Sequence, residues 1–226
     1  NNMTHEFKTP ISTIAISSEV LKDPGISREP SRLLKYATVI EQESQRLKQQ
    51  VDRVLQMARL DEKKIELNKE QVNGNELIKE AIEQCQMTIE QKSGDVKLRL
   101  NADHDGIIID KLHFTNVVFN LIDYALKYNL GKPEIEIDTY NAKGQFCISI
   151  KDNGIGIASE NQKKIFHRFF RVPTGNVHDV KGFGLGLNYV KLVVEAHKGS
   201  ISLESAPGQG SKFHVFIPLS WVHGFF

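Results

Sequence analysis

The stretch QFCISIKDNGIGI, residues 145–157, decides the fold because an alternating strand pattern runs directly into a glycine-rich turn. Residues 134–140 and 145–151 both alternate in polarity, and the turn between them joins the two segments into a predicted β-hairpin. The same periodicities recur around it, as strand patterns at residues 96–100, 106–109, 200–205 and 212–218 and as helical patterns at residues 76–92, 111–128 and 189–197. The sequence therefore predicts an α+β unit with helices on one face of a mixed sheet.

The N-terminal part follows a helical pattern instead. Apolar residues recur at helical spacing from Thr4 to about Lys22, a break follows at residues 23–25, and a heptad seam runs along residues 40–58. Two antiparallel helices joined by a short loop expose apolar stripes that a lone hairpin cannot cover. Two hairpins are therefore expected to pair into a four-helix bundle, which predicts a homodimer.

The predicted domain boundaries follow from these changes of pattern. They are a helical hairpin at residues 1–64, a polar linker at residues 65–74, an α/β domain at residues 75–220 and an apolar tail at residues 221–226. Little chain precedes the first helix, so the sequence is expected to be a piece of a longer protein.

Composition excludes several classes of protein. The chain has 226 residues, of which 40% are hydrophobic, and its net charge of +1 provides no general attraction to nucleic acid. Any phosphate binding is therefore expected to be local. Cys85 and Cys147 lack the spacing of a metal site or a disulfide framework, which favours a reducing compartment. The apolar runs fall far short of the roughly 18 residues of a membrane span.

Asp152 follows the predicted strand 145–151 directly, and the glycines at 154 and 156 allow the backbone to approach a ligand closely. A carboxylate at this position, shielded by Ile155 and Ile157, suits an exocyclic amine such as that of adenine. For this segment alone, a hairpin turn without a ligand is the alternative.

A second glycine segment, GFGLGL at residues 182–187, precedes a predicted helix whose N terminus is suited to an anionic phosphate. A simple hinge is the alternative. The long interval between the two glycine segments is typical of a lid. Three basic residues of this interval are candidate contacts of a terminal phosphate, with a solvated lid face as the alternative for each: Arg168, Arg171 and Lys181.

Two further segments carry polar groups that suit phosphoryl chemistry. His5 and Glu6 are adjacent near the start of the first helix, where a free imidazole nitrogen can attack phosphorus and the carboxylate can hold the other ring proton. In the helix 111–128, Asn120 offers an amide oxygen for magnesium and Lys127 an amine for phosphate. A surface His–Glu pair and an exposed polar helix face are the alternatives.

Taken together and in this order, the segments resemble the motifs of the sensor histidine kinases of two-component systems. The matching motifs are THEFKTP at residues 4–10 with the H box, NVVFNLIDYALKYN at 116–129 with the N box, DNGIGI at 152–157 with the first glycine box, IFHRFF at 165–170 with the F box and GFGLGL at 182–187 with the second glycine box. The resemblance covers nearly the whole chain, from Thr4 to Leu219. It implies a dimerisation and phosphotransfer hairpin followed by the two-layer, GHKL-type ATP-binding fold.

The resemblance also implies an activity. His5 would be phosphorylated from ATP with magnesium and would pass the phosphoryl group to an aspartate on the receiver domain of a response regulator, with Glu6 assisting as a base. Thr9 falls where the family orients the water that dephosphorylates the regulator. The full-length protein would be anchored in the inner or plasma membrane by segments upstream of this chain, with this part in the cytoplasm.

Both glycine boxes and the N box would contact the nucleotide if the resemblance holds. Asp152 would bind adenine, Tyr128 would stack near it, Lys127 would meet phosphates, and Asn120 would help to hold magnesium. The glycine-box residues that the resemblance places at the nucleotide are Gly154, Gly156, Gly182, Gly184, Leu185 and Gly186.

One residue departs from the family pattern. The N box usually reads N-L-x-x-N-A, whereas this chain has NLIDYA at residues 120–125, so Tyr124 replaces the usual magnesium ligand. A neutral phenol is a poor ligand for a hard cation. We therefore expect impaired autophosphorylation unless Asp123 or Asn120 compensates.

Two other functions stay open at this point. One is a kinase-impaired dimer that docks a regulator or dephosphorylates it through Thr9. The other is an ATP-hydrolysing relative of the chaperone, gyrase and mismatch-repair families, in which a glutamate of the N-box helix activates water. Asn120 at the corresponding position, together with the His5 motif, argues against hydrolysis.

Overall fold

The computed structural model describes residues 2–61, 66–172 and 184–219, with side chains described at residues 7–48, 51, 66–172 and 184–219. The chain divides into two compact units, of which one ends at Lys64 and the other begins at Ile65. Within the described residues, no helix combines the length and the apolar character needed to cross a bilayer.

The first unit is a helical hairpin. Helix α1 (Asn2–Leu21) and helix α2 (Pro30–Asp61) contact each other and are joined through a 3₁₀ turn (Pro24–Arg28). Asp23 caps this turn, because its Oδ1 accepts a hydrogen bond from the Gly25 N–H at 2.8 Å. The two predicted helices and the break between them are confirmed.

Apolar side chains remain exposed along this hairpin in the single chain. Ile11 and Ile16 of α1 are 52% and 62% exposed, and Leu34 of α2 is 67% exposed. Exposed apolar surface is costly to leave in water, so these side chains are available for a further helix–helix contact. Residues 54 and 58 of the predicted seam lie outside the described side chains.

The second unit is built on a five-stranded mixed sheet. From one edge to the other, its strands are β2 (Asp95–Leu100), β4 (Glu134–Ala142), β5 (Gln145–Asp152), β7 (Ser211–Pro218) and β6 (Ser200–Ser205). Strands β2 and β4 are parallel, and all other neighbours in this sheet are antiparallel. The hairpin that the sequence predicts is β4–β5, with Ile137 opposite Ile150. The mixed sheet is confirmed.

Three helices form the second layer. They are α3 (Gly74–Gln91), α4 (Lys111–Lys127) and α6 (Gly186–Ala196), of which α4 lies between the other two and contacts β5. The core between the layers is apolar, and its largest fully buried side chains include Phe114, Phe146 and Phe213. The predicted two-layer α/β sandwich is confirmed.

The predicted linker at residues 65–74 is too long. Strand β1 (Glu70–Asn73) lies inside it and pairs in antiparallel fashion with β3 (Gly106–Ile109). Only Val72 of this strand is buried, so a single apolar residue gave no alternating pattern from which to predict it. The Asn73 side chain then caps α3, which therefore begins directly at the end of β1.

Candidate active site

Asp152 ends strand β5 and is 4% exposed. Its Oδ1 accepts hydrogen bonds from the backbone N–H groups of Gly154 at 2.8 Å and of Ser211 at 3.2 Å. Burial raises the pKa of this carboxyl group, and the two backbone hydrogen bonds oppose the rise. The fold therefore fixes the carboxylate in one orientation, in poorly hydrated surroundings where a charged acceptor binds a donor strongly.

The first glycine box brings its backbone against two neighbouring segments. A Cβ on Gly154 would lie 2.5 Å from the Tyr128 carbonyl oxygen, and the next residue, Ile155, donates its N–H to that oxygen at 2.9 Å. Gly156 has a φ of +69°, and a Cβ there would collide with the carbonyl of Ala206. The glycines are therefore required by backbone packing around Asp152, whether or not a ligand is bound.

The β6–β7 turn also contributes to this site, although no sequence motif marked it. The Ser205 hydroxyl accepts from the Ile157 N–H at 2.8 Å and donates to the Gly210 carbonyl at 2.7 Å. Ser211, 3% exposed, supplies the second N–H to Asp152. The signal in the sequence is PGQG at residues 207–210, between the strand patterns at residues 200–205 and 212–218, and it predicts a hairpin but no contact with Asp152. That this turn lies against the first glycine box depends on tertiary contacts that no local pattern reveals.

Helix α4 carries the N box and meets the second glycine box at Asn120. The Asn120 Nδ2 donates to the Asn116 carbonyl at 2.7 Å, so its amide oxygen is the group that remains for a ligand. A Cβ on Gly186 would lie 2.7 Å from that oxygen, which places Asn120 at the first residue of α6. The structure thus brings together two residues that the sequence analysis assigned to the site separately.

Lys127 is engaged in an ion pair within its own helix. Its Nζ lies 2.6 Å from Asp123 Oδ2, and both side chains are about one-third exposed or less, at 31% and 27%. A phosphate that approached Lys127 would therefore share it with a carboxylate. The two residues are one helical turn apart on α4, so their charges neutralise each other.

The start of α6 is arranged around backbone groups. Leu185 is the N-cap residue, and its side chain makes no cap hydrogen bond to the first N–H groups of α6. Gly184 accepts a hydrogen bond from the Phe169 N–H at 3.1 Å, and the Asn188 side chain donates to the Phe166 carbonyl at 2.8 Å. The F box is therefore attached to the second glycine box on both sides of the helix start.

Tyr128 and Arg171 meet next to the first glycine box. Burial raises the pKa of the Tyr128 phenol, and the charge and hydrogen bond of Arg171 oppose this rise. Arg171 was predicted as a candidate phosphate contact, whereas in the structure it hydrogen-bonds with the Tyr128 side chain.

The interval between the glycine boxes begins with a short helix, α5 (Ser159–Gln162), and a 3₁₀ turn (Lys164–Phe166), neither of which was predicted.

The Tyr124 ring packs against the rings of Tyr128 and Phe213. Its ring centroid lies 4.5 Å from that of Tyr128 and 5.3 Å from that of Phe213, and its hydroxyl hydrogen-bonds with the Ser211 side chain. Burial raises the pKa of the phenol, and the neighbouring Tyr128 and Asp152 raise it further. The group is therefore a neutral phenol at physiological pH and unsuited to replace an amide oxygen on magnesium.

Several predicted residues lie outside the described part of the chain. The side chains of His5 and Glu6, together with Lys181, Gly182 and the tail at residues 221–226, are among them. Thr9 is described and lies exposed on α1, one residue before the buried Pro10. Among the described residues, no cluster of three or more His, Cys, Asp or Glu side chains could hold a metal ion.

Family models match two parts of this chain. Residues 1–63 match the His Kinase A (phospho-acceptor) domain, and residues 109–220 match the Histidine kinase-, DNA gyrase B-, and HSP90-like ATPase domain. The sensor protein RprX of Bacteroides fragilis is 47% identical over 223 residues, which cover 97% of this chain and 43% of that protein. The chain thus spans less than half the length of this relative.

Solved structures show the same fold. Full-length ShkA in complex with AMPPNP aligns with a TM-score of 0.72 at 22% identity, covering 92% of this chain and 46% of that chain. Histidine kinase ThkA, solved in complex with the response regulator protein TrrA, aligns with a TM-score of 0.69 at 24% identity, covering 96% of this chain and 60% of that chain. With both domains matched in order and a relative at 47% identity, this chain belongs to the sensor histidine kinases.

Proposed function

We propose that this chain transfers the γ-phosphoryl group of ATP to His5 and then to an aspartate on the receiver domain of a response regulator. One observation carries the nucleotide part of the proposal. Helix α4 contacts the first glycine box at Tyr128 and the second glycine box at Asn120. Eight residues of helix separate these contacts by about 12 Å, so a single rigid element sets the spacing between a buried carboxylate and an open helix N terminus.

The proposed roles follow from the groups at each contact. Asp152 binds the exocyclic amine of adenine, and Tyr128 lies beside the base. The N–H groups at the start of α6, from Gly184, Leu185 and Gly186, bind phosphate oxygens. Gly182 and Lys127 are further proposed phosphate contacts. Gly154 and Gly156 shape the base site through their backbone.

The transfer step uses the hairpin as the phosphoryl acceptor. The unprotonated imidazole nitrogen of His5 forms a bond to the γ-phosphorus, the bond from that phosphorus to the β–γ bridging oxygen breaks, and ADP leaves with the electron pair. Glu6 holds the proton on the other ring nitrogen. Magnesium, when bound, neutralises charge on the phosphates, and Asn120 is the residue proposed to hold it.

The remaining parts of the proposal concern assembly and partners. The exposed Ile11, Ile16 and Leu34 support pairing of two hairpins into a four-helix bundle, and hence a homodimer. Residues 1–64 would form the dimerisation and phosphotransfer domain. The catalytic domain, predicted at residues 75–220, would begin earlier, at residue 70, because it includes β1. Thr9 would orient water for dephosphorylation of the regulator. Because the relative is a sensor protein of more than twice this length, we propose a cytoplasmic position beneath an upstream membrane anchor.

The experiment is incorporation of γ-labelled phosphate from ATP with magnesium. The proposal is supported if label appears in the unsubstituted chain or in Tyr124→Asn. In the chain that labels, the label should disappear when His5→Ala is introduced and survive when His104→Ala is introduced. His104 is the control because its side chain is exposed on the loop before β3. Absence of label from every variant would contradict the kinase function.

Tyr124 supports one second candidate, a kinase-impaired dimer that acts on a phosphorylated regulator. Its test uses a receiver domain already phosphorylated by a small phosphodonor. Accelerated loss of that phosphate, slowed in Thr9→Ala and unchanged in Thr13→Ala, would support it. Thr13 lies one helical turn away, and its hydroxyl donates to the Thr9 carbonyl at 3.1 Å.

A further inference from the structure

Tyr124 lies where the proposed function puts the base of the nucleotide. Its ring is 4.5 Å from the ring of Tyr128, the residue proposed to lie beside adenine. Its hydroxyl hydrogen-bonds with Ser211, the residue whose N–H also bonds to Asp152. The negative charge of Asp152 is close enough to contribute to the raised pKa of the Tyr124 phenol. All three groups that would face a bound base thus already face this side chain.

The position of the ring follows from its place on α4. Tyr124 precedes Tyr128 by one helical turn, so the two rings lie on the same side of the helix and contact each other. Across the layer, the ring meets Phe213 of β7 edge-on at an interplanar angle of 78°. A flat aromatic group with one polar end is therefore held between α4 and β7, as a purine would be.

We propose that Tyr124 occupies the adenine position of its own domain, so that an adenine nucleotide binds only when this side chain swings out. This inference rests on the proposed function. The side chain acts as a built-in competitor, and the apparent affinity for nucleotide falls by the fraction of molecules in which the site is open. An Asn at this position has no ring and cannot compete in this way.

Occupancy of the base site is a different effect from the loss of a magnesium ligand, which a Tyr at position 124 would also cause. Loss of the ligand weakens steps that need the metal, whereas occupancy of the base site weakens binding even without metal. Tyr124→Ala separates the two effects, because it removes the ring and adds no oxygen ligand. Tyr124→Phe keeps the ring and removes only the hydrogen bond with Ser211.

The test is calorimetric titration of ADP into the chain in excess EDTA, so that no magnesium is present. Tyr124→Ala and Tyr124→Asn are expected to bind ADP about tenfold or more tightly than the unsubstituted chain, which corresponds to a site that is open one-tenth of the time or less. Tyr124→Phe is expected to stay within about threefold of the unsubstituted chain, because the ring still blocks the base. Tyr140→Ala is the control, since its hydroxyl faces His214 on the opposite side of the sheet from Phe213.

The outcomes separate the inference from the proposed function. Equal ADP affinity in the unsubstituted chain, Tyr124→Ala and Tyr140→Ala would overturn the self-occupied site and leave the nucleotide site standing. Failure of every variant to bind ADP, with thermal unfolding showing that each is folded, would overturn the nucleotide site and the inference with it. Tight binding of ADP by Tyr124→Phe would by itself also overturn the self-occupied site, because this variant keeps the ring that is proposed to block the base.

Discussion

The two ends of the proposed nucleotide site are built by different means. At the base end, Asp152 is oriented by two backbone hydrogen bonds and enclosed by glycine backbone that leaves no room for a Cβ. At the phosphate end, Lys127 is paired with Asp123, and the start of α6 has no side-chain cap. The base end is therefore complete as part of the folded core, whereas the phosphate end consists of groups that an anion would complete.

The largest effect is expected where the base end depends on backbone contact. Gly156→Ala places a methyl group against the Ala206 carbonyl at a φ of +69°, so it should lower the free energy of unfolding by roughly 2 to 5 kcal/mol. Gly208→Ala is the matched control, because its φ is +76° but nothing lies within 4 Å of the added Cβ. It should cost only about 1 to 2 kcal/mol. Urea unfolding of both variants measures the difference, and equal losses would show that the close approach at Gly156 is unimportant.

The next effect concerns the charge at the base end. In Asp152→Asn, the oxygen would keep its hydrogen bonds from Gly154 and Ser211, and the amide nitrogen would then present a donor where the amine of adenine also presents one. Nucleotide affinity should fall roughly 10- to 100-fold in the Tyr124→Asn background, as expected for loss of a charged hydrogen bond. Asp138→Asn is the control, because Asp138 pairs with Arg99 on a different strand pair. Titration of ADP gives both affinities, and an unchanged affinity in Asp152→Asn would remove this residue from the site.

The phosphate end should respond in the opposite way, losing function without losing stability. Gly186→Ala adds a methyl group 2.7 Å from Asn120 Oδ1, which has to move the amide proposed to hold magnesium. Ala is also the better helix former by up to about 1 kcal/mol, so the free energy of unfolding should not fall. In the Tyr124→Asn background, labelling of His5 should drop by about tenfold or more, because small displacements at a reacting centre are costly. Full labelling in this variant would show that the contact with Asn120 is not needed.

Much of the fold was predictable because its elements carry strong periodicities. The segments that became α4, β4 and β5 were located to within two residues at each end. β1 escaped prediction because one buried side chain, Val72, makes no pattern. The order of strands in the sheet was beyond the reach of the sequence, since pairing between distant segments depends on contacts that a local window does not contain.

The proposed site residues were candidates one by one from the sequence, but their mutual arrangement was not predictable. Asp152 and Asn120 were candidates because short motifs mark them. Ser211 was missed because a serine at the start of a strand carries no signal until the turn before it is known to lie against Asp152. The direction of the Tyr124 side chain was likewise unpredictable, because the motif indicated only that this position departs from the family pattern.

The smallest expected effect concerns the hydrogen bond between His197 at the end of α6 and Asp110 at the start of α4. His197 is 5% exposed, and its Nε2 accepts the Asp110 N–H at 2.9 Å while its Nδ1 donates to the Val193 carbonyl at 2.7 Å. This bonding requires the neutral imidazole. Burial lowers the pKa of His197, and the nearby Lys69 lowers it further, against opposing effects that include the Val193 hydrogen bond.

A lowered histidine pKa gives stability a definite direction with pH. Above the ordinary histidine pKa of about 6.5 the contribution is fully present, and it is lost as the pH falls toward the lower pKa of the folded state, because the unfolded chain then binds the proton more readily. His197→Gln can still accept from Asp110 but cannot titrate. It should cost no more than about 1.5 kcal/mol at pH 7 and should reduce the loss of stability between about pH 7 and 5. Urea unfolding at both pH values, with the exposed His104→Gln as the control, measures this change. An undiminished loss of stability in His197→Gln would place the responsible proton elsewhere, and the tie between the start of α4 and the end of α6 would then be independent of pH in this range.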